Sequence, residues 1–236
     1  MIAIILFLLF CPLLTHAQYQ GEYGVGQADQ VTKGLVGYWS MRNSGSTAFV
    51  EAGIWTNNAT AYNYVFSKTY GVVGNGLLSN GNNTKVVLGS STTLGFAGDM
   101  TVSFWAKRTD AAAGNYFIAN WAGPATFNWA FLTETSGKIR YTNGPKAIDS
   151  RVSILNAWHH FVGTRDGTTG RLYIDGVQNW NVGITGNTGM ANTVAVNVGL
   201  HVVSLGGYID EVRIYNRHLS DEEIEQLYRM GSVRDS

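Results

Sequence analysis

Two stretches set chemically active side chains next to each other. AWHHFVGTRDGTTGRLYIDG (157–176) carries the tandem imidazoles His159 and His160, and GYIDEVRIY (207–215) carries the tandem acids Asp210 and Glu211. Two imidazoles could ligate a metal or act as bases, and two carboxylates could serve as acid and base in glycoside hydrolysis. Either chemistry requires both groups to point at the same spot. Both stretches are rich in β-branched and aromatic residues and read as strands. Successive side chains of a strand leave on opposite faces, so His159 and His160 diverge, and Asp210 and Glu211 split across the sheet. Trp158, His160 and Val162 then form one face, and His159, Phe161 and Gly163 the other. With apolar bulk on both, this strand is expected at the centre of a sheet, covered on both sides. The histidines are then structural, one hydrogen-bonded within a sandwich and the other packed under a loop.

The elements around these residues are legible from turns and periodicity. Asp175-Gly176 is a residue pair favoured by a two-residue type I′ hairpin, where both central positions need positive φ. Further strand runs are LVGYWSM (35–41), LLS (77–79), KVVL (85–88), MTVSFWAKR (100–108), NYFIANW (115–121), FNWAFLT (127–133) and KIRYT (138–142). The series ends with RLYI (171–174), VQNWNV (177–182) and TVAVNVG (193–199) on either side of further turn residues. Strands in series without intervening helices predict an all-β, two-sheet antiparallel sandwich or barrel. SDEEIEQLYRMG (220–231) is the exception and predicts a short C-terminal helix. Ser220 and Glu223 have the spacing of a capping box, Ile224, Leu227 and Tyr228 share a face, and Gly231 is expected to stop the helix.

Residues 1–17, MIAIILFLLFCPLLTHA, form an apolar run followed by small or polar residues and read as a secretory signal cleaved before Gln18. The run is shorter than the roughly 20 residues a spanning helix needs, so no membrane insertion of the mature chain is expected. Residues 18–33 are polar and glycine-rich, a linker or edge segment; 34–231 form one domain and 232–236 a tail. Cys11 is the one cysteine, so the chain after the signal has no disulfide, zinc thiolate or cysteine nucleophile. Lys plus Arg equals Asp plus Glu at 16 each, which leaves no basic excess to hold nucleic acid.

GLVGYWSM (34–41), GVVGNGLLSNG (71–81), MTVSFWAKR, the 157–176 segment and GYIDEVRIYNRHLSDEEIEQLY (207–228) follow one another in order. Together they resemble the LamG-like jellyroll domains of the concanavalin A-like lectin and glucanase superfamily. The resemblance implies a two-sheet antiparallel jellyroll, secreted or surface displayed, engaged in carbohydrate or protein recognition. It also implies one structural calcium near IDEVRIY, for which Asp210 and the oxygens around Asn80, Asn82 and Asn83 are the candidate ligands. Where relatives often carry Asp-Gly-x-Asp-Asp, this chain has Asn80-Gly81-Asn82-Asn83, which lowers the charge available to the ion. The enzyme branch typically carries a Glu-x-Asp-x-Glu run, and this chain has none.

No catalytic residues are assigned. Sugar sites pair an exposed aromatic face with nearby amides, and the candidates are Trp121 with Asn120, Asn128 with Trp129, and Trp180 with its flanking Asn179 and Asn181. Trp39, Trp105 and Trp158 lie in the family motifs and are assigned to the core. The expected function is a secreted recognition or adhesion module without catalysis, binding a glycan. A protein-interaction or structural module of a surface or particle assembly is the alternative, and a glycoside hydrolase the remaining reading. Asn58-Ala59-Thr60 and Asn82-Asn83-Thr84 match the N-glycosylation triplet. Nothing in the sequence specifies an oligomeric state.

Overall fold

The structure is a computed structural model and describes residues 31–41, 48–49, 59–62, 65–67, 71–74, 76–79, 85–89, 94, 98–109, 114–121, 127–144, 146–151, 153–167, 169–179, 195–199 and 206–232. The chain divides into two compact units, residues 1–33 and 34–236. The expected signal and nearly all of the expected linker lie outside the described residues, as do residues 233–236 of the tail; residues 31–33 form a helical turn.

The second unit contains two antiparallel sheets. The first runs, in spatial order, β14 (Val177–Gln178), β13 (Thr169–Ile174), β12 (Trp158–Asp166), β7 (Met100–Arg108), β16 (Gly207–Tyr215), β5 (Gly76–Ser79) and β4 (Val65–Ser67). β1 (Leu35–Trp39) pairs with the second half of β16. The second sheet runs β11 (Lys146–Asp149), β10 (Ile139–Asn143), β9 (Phe127–Thr133), β8 (Tyr116–Trp121), β15 (Val196–Val198), β6 (Lys85–Leu88), β3 (Ala59–Tyr62) and β2 (Ala48–Phe49). With helix α1 (Asp221–Ser232) this is the expected all-β jellyroll sandwich with a C-terminal helix. Strands β2, β3, β4 and β11 go beyond the sequence expectation. β11 shows why: Lys146, Ala147 and Asp149 are exposed and Ile148 alone is buried, so little apolar alternation marks this edge strand.

The interior is built on aromatic residues facing one another from the two sheets. Phe104 of β7 meets Phe131 of β9 edge-on, with ring centroids 4.9 Å apart and planes at 83°, and lies 5.5 Å from Phe161 of β12. Such contacts add to the area they bury. Gly163, two residues beyond Phe161 on the same face, leaves the room that Phe131 and Tyr141 fill: a Cβ there would sit 2.6 Å from the Tyr141 ring and 2.7 Å from that of Phe131. β7 is buried at every position except Lys107, because β12 and β16 flank it and both faces are covered.

Helix α1 supplies part of the outer cover. The Glu223 amide donates to Ser220 Oγ (3.3 Å) and the Ser220 amide to Glu223 Oε2 (2.8 Å), so the capping box forms as expected. Ile224, Leu227 and Met230 are buried, and Tyr228 stacks on Trp105 with centroids 5.7 Å apart. The expected helix stop at Gly231 does not hold, since the helix runs through to Ser232. Gly231 is needed for close approach instead: a Cβ there would fall 2.4 Å from the Trp105 indole. Gly163→Ala and Gly231→Ala are each expected to lower the unfolding free energy by about 1–3 kcal/mol through overpacking, measured by urea denaturation; a neutral result at either position contradicts the packing described.

Candidate functional site

The tandem histidines diverge as the alternation requires. His160 is buried on the outer face of β12, its Nε2 2.8 Å from Ser103 Oγ, beside the stacked rings of Trp105 and Tyr228. His159 lies on the other face beside Phe161, its Nδ1 2.7 Å from Asp175 Oδ2. Asp175 (φ 53°) and Gly176 (φ 79°) both have positive φ, as the hairpin expectation demanded. Asp175 also accepts the His160 amide through Oδ1 (2.9 Å), so this one turn residue fixes the backbone between the two imidazoles. The His160–Ser103 pair has the contact of a nucleophile and base, but stacked aromatics seal it from solvent. Burial pushes the His160 imidazole down to about 3 and holds it neutral.

The tandem acids depart from the expectation. Along β16, Asp210 stands opposite Trp105 and Arg213 opposite Ser103, so β16 carries one residue more than β7 over this interval. This β-bulge puts Glu211 at φ 51°. Strict alternation would send Glu211 to the interior with Ile209. The bulge brings Val212 and Ile214 into the core instead, and spares the large cost of an ionised carboxylate there. Glu211 Oε2 accepts from Tyr38 Oη (2.7 Å) and pairs with Arg213 Nη2 (2.7 Å), while the Arg213 guanidinium lies 4.3 Å over the Tyr38 ring. Asp210 accepts the Val73 amide through Oδ2 (3.0 Å) and the Glu211 amide through Oδ1 (2.8 Å). The acids therefore do not split across the sheet; both are buried and turned away from the core. The spacing Ile209, Val212, Ile214 is the sequence signal of the extra residue.

Of the candidate sugar-binding residues, Asn120, Asn128, Trp129 and Asn179 are described with their side chains. Trp129 is 1% exposed and belongs to the interior, so it is not an exposed platform. Asn128 is buried opposite a register shift in β8 and donates through Nδ2 to Asn120 Oδ1 (2.8 Å), a structural role. Trp121 is placed by its backbone in β8, and its side chain, together with Trp180, Asn181 and the loop residues Asn80, Asn82 and Asn83, lies outside the described residues. Asn179 acts as a clasp: its amide donates to Leu172 O (2.9 Å), its Nδ2 to Asp149 O (3.2 Å), and its Oδ1 accepts from Arg151 N (3.1 Å), joining the edges of the two sheets. Among the described residues no three His, Cys, Asp or Glu side chains converge as a metal site would need, and Asp210 is fully buried.

Other acids are held in place as well. Arg140 pairs with Asp149 through Nε and Nη2 (2.6 and 3.0 Å) and with Glu134 through Nη1 (2.7 Å). The Arg140 hydrogen bond holds the Asp149 carboxyl below its ordinary range. Asp99 accepts the Gly167 amide (2.7 Å). On the outer face of the first sheet Trp158, Lys107 and Tyr208 are direct neighbours across β12, β7 and β16, each half-buried. Trp158 was expected in the core; it packs against the outer cluster of Val72, Val73 and Trp105 with one side open.

A family model described as the concanavalin A-like lectin/glucanases superfamily matches residues 80–225, more than half of the chain. The chain belongs to this superfamily. Among solved structures, this concanavalin A-like domain resembles the sialidase of Trypanosoma rangeli in complex with 2,3-difluorosialic acid (TM-score 0.70, 18% identity), covering 93% of this chain and 39% of that one. It also resembles the receptor binding domain of botulinum neurotoxin D (TM-score 0.65, 16% identity, 85% of this chain and 53% of that one). The binding domain of Paraclostridial Mosquitocidal Protein 1 is similar at TM-score 0.61 and 16% identity, with the same 85% and 53% coverage. At these identities the likeness is one of fold, and the chain spans between a third and about half of these proteins' lengths. No curated sequence matches the chain.

The buried His160 makes stability depend on pH. In the unfolded chain the imidazole takes up a proton below its ordinary value of about 6.5, whereas in the folded chain it stays neutral down to about 3. The unfolded state therefore binds more protons in this window, and stability falls as pH falls, by up to ~1.4 kcal/mol per pH unit from this residue. His160→Gln is expected to flatten the slope of unfolding free energy between about pH 6 and pH 4 in urea titrations. An unchanged slope would place the proton elsewhere.

Proposed function

We propose that this concanavalin A-like domain is a secreted recognition or adhesion module without catalytic activity, and that its ligand is a glycan. The observation that carries the reading is the use made of the acids. Asp210 and Glu211, adjacent in sequence and buried together, accept hydrogen bonds from Val73, Glu211's own amide and Tyr38. Glu134 and Asp149 converge on one guanidinium, whose hydrogen bond favours the ionised form of Asp149 and leaves that carboxyl unsuited to donate a proton to a leaving group. A hydrolase on this fold would need one protonated and one ionised carboxyl across a groove.

Secretion is supported by the apolar leader, and among the described residues no helix is long and apolar enough to cross a membrane. The alternative, a protein partner, draws support from the fold shared with two toxin domains named for binding. Calcium stays within the proposal in a reduced form. Asp210 already accepts two amide hydrogens, and the other proposed ligands, Asn80 and Asn82, are uncharged, a set of low charge that predicts weak binding.

The protein purified from the medium of a secreting host is expected to begin at Gln18, to bind members of a glycan array, and to leave them unhydrolysed. Hydrolysis abolished by one carboxylate substitution would overturn the non-catalytic reading, and an array without binding would transfer the proposal to a protein partner. A small rise in melting temperature from EDTA to millimolar calcium is expected; no change would remove the ion.

A further inference from the structure

We propose that the outer face of the first sheet carries a preformed site for an acidic saccharide, built from Trp158, Lys107 and Tyr208; this rests on the glycan reading above and assigns it a place and a ligand charge. The three residues are direct cross-strand neighbours on β12, β7 and β16, the central strands of the sheet. Neighbouring strands lie about 4.8 Å apart, so Trp158 and Tyr208 have backbones roughly 10 Å apart. Their ring centroids are nevertheless 6.2 Å apart, with planes at 43°. The two rings therefore lean towards each other across the strand that carries Lys107.

Lys107 is the single position of β7 that is not buried. Helix α1 and the 71–74 segment cover the next row, at Trp105 and His160, through Tyr228, Val72 and Val73. The half-buried row of Trp158, Lys107 and Tyr208, continued by Leu78, thus lies beside that covered row. An apolar row alone would fit many ligands; the cation narrows the choice. Among the described residues no carboxylate pairs with Lys107. Asp210, the acid in the neighbouring row, has its oxygens engaged by backbone amides. A half-buried lysine lays its apolar stem along the sheet and keeps its ammonium in water. Two tilted aromatic faces beside such an ammonium suit a ring that offers C–H groups to the aromatics and a carboxylate to the lysine. A uronic acid residue in a polysaccharide has this chemistry. The two rings already lie in mutual contact from the strands on either side of β7, so little ordering of them is needed on binding.

The test is a calorimetric titration of the full chain with oligogalacturonate and with a hyaluronan oligosaccharide, each set against its methyl-esterified form. At least one free acid is expected to bind, and at least tenfold more tightly than its ester. Lys107→Met should erase that preference while Lys107→Arg keeps it, and Trp158→Ala or Tyr208→Ala should weaken the acid at least tenfold. Trp158→Phe, which preserves the packing against the outer cluster, is expected to bind with intermediate strength and an unchanged melting temperature. Equal binding of acid and ester, binding unaffected by Lys107→Met and Trp158→Phe, or no binding of either acid overturns the proposal. If glycans on the array are held just as well by Lys107→Met and Trp158→Phe, this site fails while the glycan reading stands; if the array is blank, that reading fails first.

Discussion

Burial of the central strands on both faces is the constraint on which the rest of this structure depends. β12, β7 and β16 pack the aromatic interior with one face and lie beneath helix α1 and the 71–74 segment with the other. Polar side chains buried on such strands are costly without partners in the protein. Those partners draw in the covering elements. Thr101 Oγ donates to Arg217 O and accepts the Leu219 amide, which fixes the approach to the helix. Tyr173 donates to Asp221 at the first helical turn, and Arg108 donates to Glu134 O and Lys138 O across the 135–137 turn. Asp210 holds the 71–74 segment through Val73, and Glu211 with Arg213 holds β1 through Tyr38.

The same constraint shapes what the molecule can do chemically. Groups that look reactive in a list of residue types are spent as internal partners. His160 Nε2 and Ser103 Oγ are partners in a buried layer, and the acids of β16 accept hydrogen bonds from the elements they hold. What stays half-open on the first sheet includes two aromatic rings and a lysine, held on its central strands.

Much of this was legible in the chain. The strand series, the Asp175-Gly176 turn and the Ser220–Glu223 capping box follow from local rules, because period-two alternation, positive φ and a terminal amide each depend on residues close in sequence. The divergence of His159 and His160 followed from alternation alone. Errors arose where partners come from far away. Trp129 reads like any other aromatic beside an amide, and only the opposing sheet makes it core. Gly231 sits where a helix commonly stops, but its neighbour is Trp105, more than a hundred residues earlier. The bulge at Asp210-Glu211 was written in the spacing of Ile209, Val212 and Ile214, yet a rule of strict alternation overlooked it.

Sequence by itself determined the class of the fold, the order of its long strands and the site and cap of its helix, since hydrophobic period and turn chemistry are properties of contiguous residues. Tertiary structure alone decided which polar groups became internal ties and which aromatics stayed at the surface. A side chain's cost of burial depends on what faces it, and for Asp210, His160, Trp129 and Trp158 the facing residues come from other strands, other loops or the helix.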